Sequence, residues 1–294
     1  MNLLKPALVL SVLAAVPVAP PAYGQEGPVA PDPAPVLASE PDFDADSLTI
    51  GGGAVWMPDY EGSNDNTVVA APGAIGTYQG FSVQVAGNRI SADLIPDKSE
   101  SGLDFQAGPV AVLNLYRSSL GSIDDPRIRA LGRIDRAIEL GGYVGIGKTG
   151  VITSPYDRIS LSVSYRKDVS GDHRAGILAP TVTYLTPLSR KTAVALFVAG
   201  ERAERGYART YFSITRAQAT ASGLPAYNAR GGWKNWTVGA IGTVSLTGDL
   251  LHGLKLVGGG TYSRLLNDFA RSPVVSIAGS RGQWLGAVGL AYTF

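Results

Sequence analysis

The sequence predicts an all-β protein, an antiparallel up-and-down β-barrel that spans a membrane, most simply with twelve strands. Three observations support this fold class. Apolar and polar residues alternate with a period of two. The alternating segments are about ten residues or longer, the length that a tilted strand needs to cross a bilayer, whereas soluble strands are nearer five or six residues. The connections between segments alternate between long and short, which a soluble sandwich does not require.

The first 24 residues are predicted to be a secretory signal peptide. Lys5 supplies a positive start, residues 7–18 form a short apolar core, and Ala22-Tyr23-Gly24 is a small-x-small cleavage site before Gln25. A membrane anchor is the competing interpretation. However, the apolar run is crowded by prolines and is shorter than the about 20 residues that a spanning helix needs.

Residues 25–46 follow as a segment rich in proline, alanine and acidic side chains, without periodicity. This composition predicts an extended, solvated and disordered linker rather than a packed element. The predicted barrel domain then runs from residue 47 to residue 294. Because no later segment is long and apolar enough for a spanning helix, a membrane-spanning domain must be a closed barrel.

The period-two pattern divides this domain into twelve predicted strands. The last strand carries bulky groups, including Trp284, on one face and mostly small groups on the other, which predicts that the bulky face contacts lipid. The third and fourth segments are short and poorly separated, so ten strands is the alternative; an even number is expected of a single-chain bacterial barrel. The segments lie near residues 48–56, 67–78, 80–86, 89–95, 103–116, 138–149, 156–168, 175–186, 192–201, 235–247, 253–263 and 283–294.

The lengths of the connections indicate the orientation. Counted from a periplasmic N-terminus, odd-numbered connections of such a barrel are external and long, and even-numbered ones are periplasmic and short. Every even connection is short, while four odd ones are long, at residues 57–66, 117–137, 202–234 and 264–282. This pattern predicts a protein of the outer membrane of a Gram-negative bacterium.

The composition excludes several functional classes. The chain has no cysteine and only two histidines, which removes disulfides, thiolate chemistry and histidine-rich metal sites. The 25 basic and 24 acidic side chains argue against a nucleic-acid partner. A hydrolase would need a serine, a histidine and an acid to converge. His173 lies beside Asp172 and near Ser170, but this pattern is more typical of a turn. We expect neither enzymatic activity nor a cofactor.

Four passages carry a family resemblance. They are residues 58–63 (PDYEGS), residues 139–142 (ELGG), residues 207–232, and residues 262–280 followed by Gln283 and the terminal Tyr-x-Phe. In this order and spacing, they resemble the MipA/OmpV family of outer-membrane proteins (MltA-interacting protein-like). Two departures stand out: Ser213-Ile214 occupies the place of Gly-Val, and Arg271 stands where the family tends to have an acid. A charge-dependent role of that last loop is therefore in doubt.

The resemblance implies a barrel in the outer membrane without an established catalytic site. The family has been linked to scaffolding a murein lytic transglycosylase with a peptidoglycan synthase, and other members to porin-like transport, adhesion and stress response. By this resemblance we expect a cell-envelope scaffold that docks partners. The alternative is a small-solute or anion-preferring porin-like channel. Outer-membrane lipid, lipopolysaccharide and the barrel-assembly machinery are the other expected partners.

The arginine-rich loops supply candidate contact residues. In the 202–234 loop, Arg205, Arg209 and Arg216 are predicted either to meet lipopolysaccharide phosphates or to fold inward as a constriction that selects anions. The alternative, which we slightly favour, is that the loop arginines pair with acids. The nearby acids are Asp124, Asp125, Asp135, Glu201 and Glu204.

Further candidates lie on the predicted lumen face, in the first long loop and at the C-terminus. Arg89 and Asp93 share the lumen face of one strand, and Glu139 lies with Tyr143 on that of another, where they line a pore or pair across it. The oxygen-rich residues 59–66 could hold calcium, but their spacing favours a solvated turn. The strand that ends in Tyr292 and Phe294 is predicted to act as an assembly signal.

Overall fold

The computed structural model describes residues 46–96 and 103–294. The predicted signal peptide and nearly all of the predicted linker lie outside the described residues. The strands are β1 (Ser47–Pro58), β2 (Asn66–Tyr78), β3 (Phe81–Ala86), β4 (Arg89–Asp93), β5 (Leu103–Asn114), β6 (Ala137–Thr149), β7 (Arg158–Asp168), β8 (Gly176–Ser189), β9 (Thr192–Ala203), β10 (Gly232–Ser245), β11 (Gly253–Leu265) and β12 (Gly282–Thr293). They form one closed antiparallel barrel in which sequence neighbours pair and β12 pairs with β1. The predicted fold class and the count of twelve strands are therefore confirmed.

The wall of the barrel follows the alternation in the sequence. On β12, Gln283 and Ala291 face inward and are buried, whereas Trp284 and Leu290 face outward with 60% and 50% of their surface exposed. Aromatic rings cluster on the outer wall near both ends of the strands. Near one end, Tyr262 packs against Trp284, with ring centroids 4.9 Å apart. An outward apolar band flanked by aromatic residues is typical of a barrel in lipid.

The barrel closes between its first and last strands. Their pairing runs from Thr49 opposite Thr293 to Trp56 opposite Gly286. The hydroxyls of the two threonines are 2.7 Å apart. A Cβ atom on Gly289 would lie 2.6 Å from the carbonyl oxygen of Gly52. The close approach at this seam therefore requires glycine.

The three longest connections, residues 115–136, 204–231 and 266–281, lie at the same end of the barrel. The long-loop end carries residues 59–65, 115–136, 169–175, 204–231 and 266–281, and the short-turn end carries residues 79–80, 94–96, 150–157, 190–191 and 246–252. Five short helices, which the sequence pattern did not predict, lie in the long loops: α1 (Pro126–Ala130), α2 (Arg205–Phe212), α3 (Arg216–Ser222), α4 (Asn267–Arg271) and α5 (Pro273–Ser276). None of the helices in the described part of the chain has the length and apolar character needed to span a bilayer.

Local signals explain two of these helices. Asp125 caps α1 by accepting a hydrogen bond from the N–H of Arg127. Thr215 and Gln218 form a capping box at the start of α3, and Gly223 ends that helix in the left-handed conformation. Side chains that satisfy the free N–H groups of a first turn stabilise a helix too short to persist alone.

The long loops pack into the mouth of the barrel. Tyr207 and Phe212 of α2 are fully buried and belong to one apolar cluster with Val112 and Ile177, which face inward from the wall. A second apolar cluster joins Tyr60, Ile123, Ile128, Leu131, Ile214, Leu224, Val274 and Ala278. We call residues 59–65, 115–136, 204–231 and 266–281 together the plug.

The wall has a gap between β2 and β5. The hairpin of β3 and β4 turns at residues 87–88, and β3 pairs with β2 only from Gly73 to Tyr78. From Asn66 to Pro72, β2 has no strand neighbour on that side. The N–H of Gly87 donates to the carbonyl of Pro72 at 2.9 Å, and this hydrogen bond bounds the gap on the side of the short-turn end. Proline, which lacks an N–H, suits such an edge.

Candidate functional site

A chain of buried charges runs from the barrel wall to the plug. The guanidinium of Arg166 lies 2.6 Å from carboxylate oxygens of both Glu139 and Glu201. The ammonium of Lys234 lies 2.6 Å from Glu201 and 2.7 Å from Glu61. These five residues alternate in sign from Glu139 on the wall to Glu61 in the plug. We call Glu139, Arg166, Glu201, Lys234 and Glu61 the ion chain.

The strands place four of the five side chains. Glu139, Arg166 and Glu201 lie on the inward faces of β6, β7 and β9 near the long-loop end. Lys234 reaches the lumen through a bulge in β10, where the pairing with β9 shifts between Trp233 and Asn235. Bulges commonly redirect a side chain next to a functional site. Here the bulge leaves Lys234 only 2% exposed, inside the barrel.

The plug supplies the fifth side chain, Glu61. The backbone around it is held by Gln283, which accepts a hydrogen bond from the N–H of Gly62 at 3.1 Å and donates to the carbonyl of Ser63 at 2.8 Å. Burial raises the pKa of Glu61, and the opposing charge of Lys234 only partly offsets this. The pKa of Tyr207 is also raised, mainly by burial, so its hydroxyl stays protonated and donates to Glu61 at 2.7 Å.

Neutral groups complete the other end of the ion chain. Asn114 donates to Glu139 at 3.0 Å, and Nε2 of His173 lies 3.2 Å from the same carboxylate oxygen. Nδ1 of His173 accepts the N–H of Ala175 at 3.2 Å, which assigns the proton to Nε2 and a neutral ring. Three carboxylates and two cations are thus held by charge pairing and by neutral donors, as buried charges require.

The side chains around His173 form hydrogen bonds with one another that do not match a catalytic arrangement. The hydroxyl of Ser170 donates to Asp168 at 2.6 Å and to Asp172 at 2.8 Å. Nε2 of His173 instead faces Glu139. The serine, the histidine and the acid therefore do not form the relay that hydrolysis needs.

Of the predicted lumen residues, Glu139 belongs to the ion chain. Arg89 and Asp93 are buried on β4, 5% and 7% exposed. Asp93 also accepts hydrogen bonds from the N–H groups of Ile95 and Ala107, both at 3.1 Å. Asp93 thus fastens the start of the β4–β5 connection to β5.

The two arginine-rich loops differ in how their charges are paired. In the 115–136 loop, Arg127 pairs with Asp125 at 2.6 Å and Arg133 with Asp135 at 2.7 Å. In the 204–231 loop, the three candidate arginines, Arg205, Arg209 and Arg216, are exposed on the solvent side of α2 and α3. Within residues 46–96 and 103–294, no carboxylate lies at ion-pair distance from any of these three.

The expectation of a solvated turn at residues 59–66 is wrong for residues 59–63, which are buried, and holds for Asn64 and Asn66, which are exposed. Tyr60 and Ser63 are 2% exposed, and the Tyr60 hydroxyl donates to the carbonyl of Ala278 at 2.7 Å. The carboxylates of Asp59 and Glu61 bind different partners and do not share a site. Asp59 accepts the N–H of Asp124 at 2.9 Å, while Glu61 joins the ion chain. The described residues contain no group of three or more metal-ligating side chains.

Sequence reasoning missed most of the ion chain. The sequence indicates Glu201 only as a partner for loop arginines, and the predicted strand that begins near residue 235 excludes Lys234. One signal was available, because Glu201 and Lys234 flank the longest loop and oppositely charged residues at such positions are brought together by the hairpin. The bulge that turns Lys234 inward leaves no comparable pattern.

These features define a class: a closed, plugged β-barrel of the outer-membrane type, with a lipid-facing apolar wall and a charged interior. The chain belongs to the family described as MltA-interacting protein MipA, whose model matches residues 50–294. The passages that carry the resemblance contain two members of the ion chain, Glu61 and Glu139, and Tyr207 of the plug, which donates to Glu61.

Several solved structures have a similar overall shape. TodX, the toluene transporter of Pseudomonas putida, is 9% identical with a TM-score of 0.37, covering 85% of this chain and 89% of its own. OprD, an outer-membrane protein of Pseudomonas aeruginosa, is 10% identical with a TM-score of 0.32, covering 85% and 92%. The monoaromatic hydrocarbon channel CymD is 11% identical with a TM-score of 0.39, covering 85% and 89%. No curated protein matches the chain.

Proposed function

We propose that this protein is a non-enzymatic scaffold of the cell envelope that docks a murein lytic transglycosylase, and with it a peptidoglycan synthase. The family description names the first kind of partner. The single observation that favours a scaffold over a channel is the closed mouth of the barrel. A scaffold needs a rigid platform in the membrane, whereas a channel needs a continuous path.

The mouth is closed by two layers. The upper layer is the apolar packing around Tyr207 and Phe212, both 0% exposed. The lower layer is the ion chain, in which Arg166 bridges two strands and Lys234 joins the wall to the plug. Moving either layer aside would expose apolar surface or separate buried charges, and both changes are unfavourable.

The packing also indicates where a periplasmic partner docks. Residues 58–63 are buried inside the mouth, and the apolar side chains of residues 207–232 pack there as well. The exposed side chains of residues 207–232 lie at the long-loop end, which by the usual orientation faces away from the periplasm. By the usual orientation of such barrels, the short turns face the periplasm. β1 begins at Ser47 at that same end, and residues 25–46 precede it in the sequence. We therefore place the docking face on the short turns and this acidic, proline-rich segment.

The test is a binding measurement with the full barrel in detergent and a purified lytic transglycosylase of the MltA type. Deleting residues 26–45 should weaken binding at least tenfold. The matched control, Arg209→Gln with Arg216→Gln on the plug, should leave the affinity unchanged. Equal binding by the wild-type protein and the deletion variant would remove this segment as the docking face, and no binding by the wild-type protein would refute the scaffold.

A second candidate function is a small-solute channel with a preference for anions. One observation favours it: the hydroxyls of Ser164, Thr181, Thr183 and Thr243 are buried on the lumen face without a hydrogen-bond partner in the described protein. Buried hydroxyls of this kind are usually satisfied by water, which indicates a wet interior. In planar bilayers, replacing Arg205, Arg209 and Arg216 with glutamine should reduce anion selectivity. Unchanged selectivity would refute an arginine constriction.

A further inference from the structure

We propose that a basic groove on the outer wall binds the phosphate groups of lipid A in the outer leaflet. The groove is lined by four arginines, Arg174, Arg202, Arg205 and Arg230, and has a volume of about 920 Å³. It lies at the long-loop end, outside the barrel, and shares no residue with the ion chain. The proposal is therefore independent of whether the protein acts as a scaffold or as a channel.

The fold brings the four arginines together from separate segments. Arg202 lies on the outward face of β9, next to Leu178 on β8 and Trp233 on β10. Arg174 comes from the 169–175 connection. The other two come from the beginning and the end of the 204–231 loop, which the hairpin of β9 and β10 holds side by side. The arrangement therefore depends on the rigid strands as well as on the loops.

The charge of the groove is not neutralised by the described protein. Glu204 is the one acid among its lining residues, and its carboxylate already accepts the Tyr165 hydroxyl at 3.2 Å and the N–H of Gly176 at 2.8 Å. Asp268, beyond the groove, accepts the N–H of Arg230 at 3.0 Å but pairs its charge with Arg271 at 2.5 Å. Four guanidinium groups against one occupied carboxylate favour a ligand with more than one negative charge.

The other arginine-rich loop, residues 115–136, shows how loop arginines are neutralised when no ligand is needed. The exposed arginines of the 115–136 loop include two that pair with acids two residues away, Arg127 with Asp125 and Arg133 with Asp135. A solvated loop can neutralise its own charge in this way. The arginines of the groove have no such neighbour at ion-pair distance among the described residues, although the chain is nearly neutral overall.

The surroundings identify a lipid rather than a soluble anion. Towards the membrane, the groove meets outward-facing apolar and aromatic side chains, including Leu178, Tyr165 and Trp233, the last two 46% and 45% exposed. Aromatic residues mark the level of the headgroups in such barrels. By the usual orientation, the long loops face the outer leaflet. A molecule with phosphates above and acyl chains below matches both halves of the groove.

The experiment measures binding of diphosphoryl lipid A to the full barrel in detergent micelles by native mass spectrometry. The test variant is Arg202→Gln with Arg230→Gln, two exposed side chains whose loss opens no buried site. The matched control is Arg190→Gln with Lys191→Gln, which removes two exposed positive charges from the short-turn end. Since a charge-assisted hydrogen bond contributes about tenfold or more in affinity, the test variant should bind on the order of a hundredfold more weakly. The control should bind as the wild type does.

Two further probes separate the possible ligands. Lipid A stripped of both phosphates should bind weakly to the wild type, and inorganic phosphate at the same concentration should not displace the diphosphoryl lipid. Equal affinity of the two double variants would overturn the site. Strong binding of the phosphate-free lipid would overturn phosphate recognition, and displacement by inorganic phosphate would overturn the assignment to a lipid.

Discussion

At the scale of single residues, Lys234 connects the barrel wall to the plug. It bridges Glu201 on the wall and Glu61 in the plug, and it lies 4.8 Å from the centre of the Tyr207 ring. A buried ion pair contributes little net stability when compared with an apolar pair, but removing one partner leaves an uncompensated charge. The ion chain therefore fixes the position of the plug more than it adds to overall stability.

Replacing Lys234 with methionine tests this role. The change keeps the length of the side chain but leaves Glu61 and Glu201 without their shared cation. We expect the free energy of unfolding, measured in urea from lipid vesicles, to fall by about 3–5 kcal/mol. The exposed turn residue Lys191, changed in the same way, is the control and should change stability by less than about 0.5 kcal/mol.

A second substitution separates charge from packing. Adding Glu61→Gln to Lys234→Met removes the carboxylate that has lost its cation, whereas Glu201 keeps Arg166 at 2.6 Å, so part of the lost stability should return. If the double variant is as unstable as the sum of the two single variants, Lys234 acts mainly by filling space and the ion chain is not a coupled unit.

Asp157 provides a residue-scale prediction about pH. Desolvation raises the pKa of this carboxyl, but the N–H groups of residues 151–153 and the Tyr184 hydroxyl outweigh it and hold the pKa well below the usual range. A depressed carboxyl pKa gives stability that is present above the pKa of the unfolded chain and is lost as the pH falls. Asp157→Ala should therefore lower stability equally at all pH values above about 4, and the difference should shrink below that value.

The measurement is urea unfolding of wild type and variant across this pH range. Asp135→Ala serves as the control, because Asp135 is 71% exposed and pairs only with Arg133. A wild-type advantage that grows as the pH falls would show that the sign is wrong and that Asp157 is stabilised in its protonated form.

Residue-level prediction from the sequence worked where the strand alternation is regular. Glu139 was placed in the lumen by its position on β6, two residues from the long-loop end. Lys234 was not placed there, because a single inserted residue reverses the faces of everything on one side of it. The burial of Tyr60 and Glu61 was also out of reach, because it depends on loops that are distant in sequence.

At the scale of secondary-structure elements, the wall gap beside β2 is the feature that departs from a regular barrel. The carbonyl of Pro72 accepts the N–H of Gly87, so Pro72 faces the gap side. Backbone groups of an antiparallel strand point alternately to its two neighbours. Ala70 therefore points its N–H into the gap, whereas Ala71 points its N–H towards β1, opposite Gly53.

Proline substitution at these two adjacent alanines tests the gap. Ala71→Pro should remove a ladder hydrogen bond to β1, leave its acceptor unpaired and destabilise the barrel by about 1–3 kcal/mol. Ala70→Pro removes an N–H that has no strand partner and should cost clearly less. The readout is urea unfolding of each variant in vesicles. Equal losses of stability in the two variants would mean that the backbone of β2 beside the gap is hydrogen-bonded to another partner in the membrane.

The sequence contained a partial sign of this gap. The third and fourth segments were recognised as short and poorly separated, which is how a hairpin of two short strands, β3 and β4, appears. The five loop helices gave no such sign, because helices of four to eight residues have too few turns to establish a period. Their caps, such as Thr215 with Gln218, were recognisable only once a helix was suspected.

At the scale of the whole molecule, assembly depends on joining the two ends of the chain. The N–H of Phe294 donates to the carbonyl of Leu48 at 3.0 Å, and its ring packs against Tyr292 with centroids 4.8 Å apart. We propose that these two aromatics form the assembly signal. Deleting Phe294 should lower the amount of barrel inserted in cells without changing the stability of the fraction that folds. Trp284→Ala, at the other end of β12, is the control and should insert normally.

The closed mouth leads to a prediction for the whole barrel. Residues 206–229 contribute Tyr207, Tyr211 and Phe212 to the upper layer of the plug. Replacing this segment with a short glycine-serine linker removes that layer and keeps all five members of the ion chain, although Glu61 loses the hydrogen bond from Tyr207. In planar bilayers the wild type should show no steady conductance, whereas the shortened variant should conduct. Replacing residues 126–130 instead removes a helix at the rim, with one buried residue, Ile128, and should leave the barrel closed. Steady conductance by the wild type would contradict the seal and favour the channel, and a silent shortened variant would place the seal in the ion chain alone.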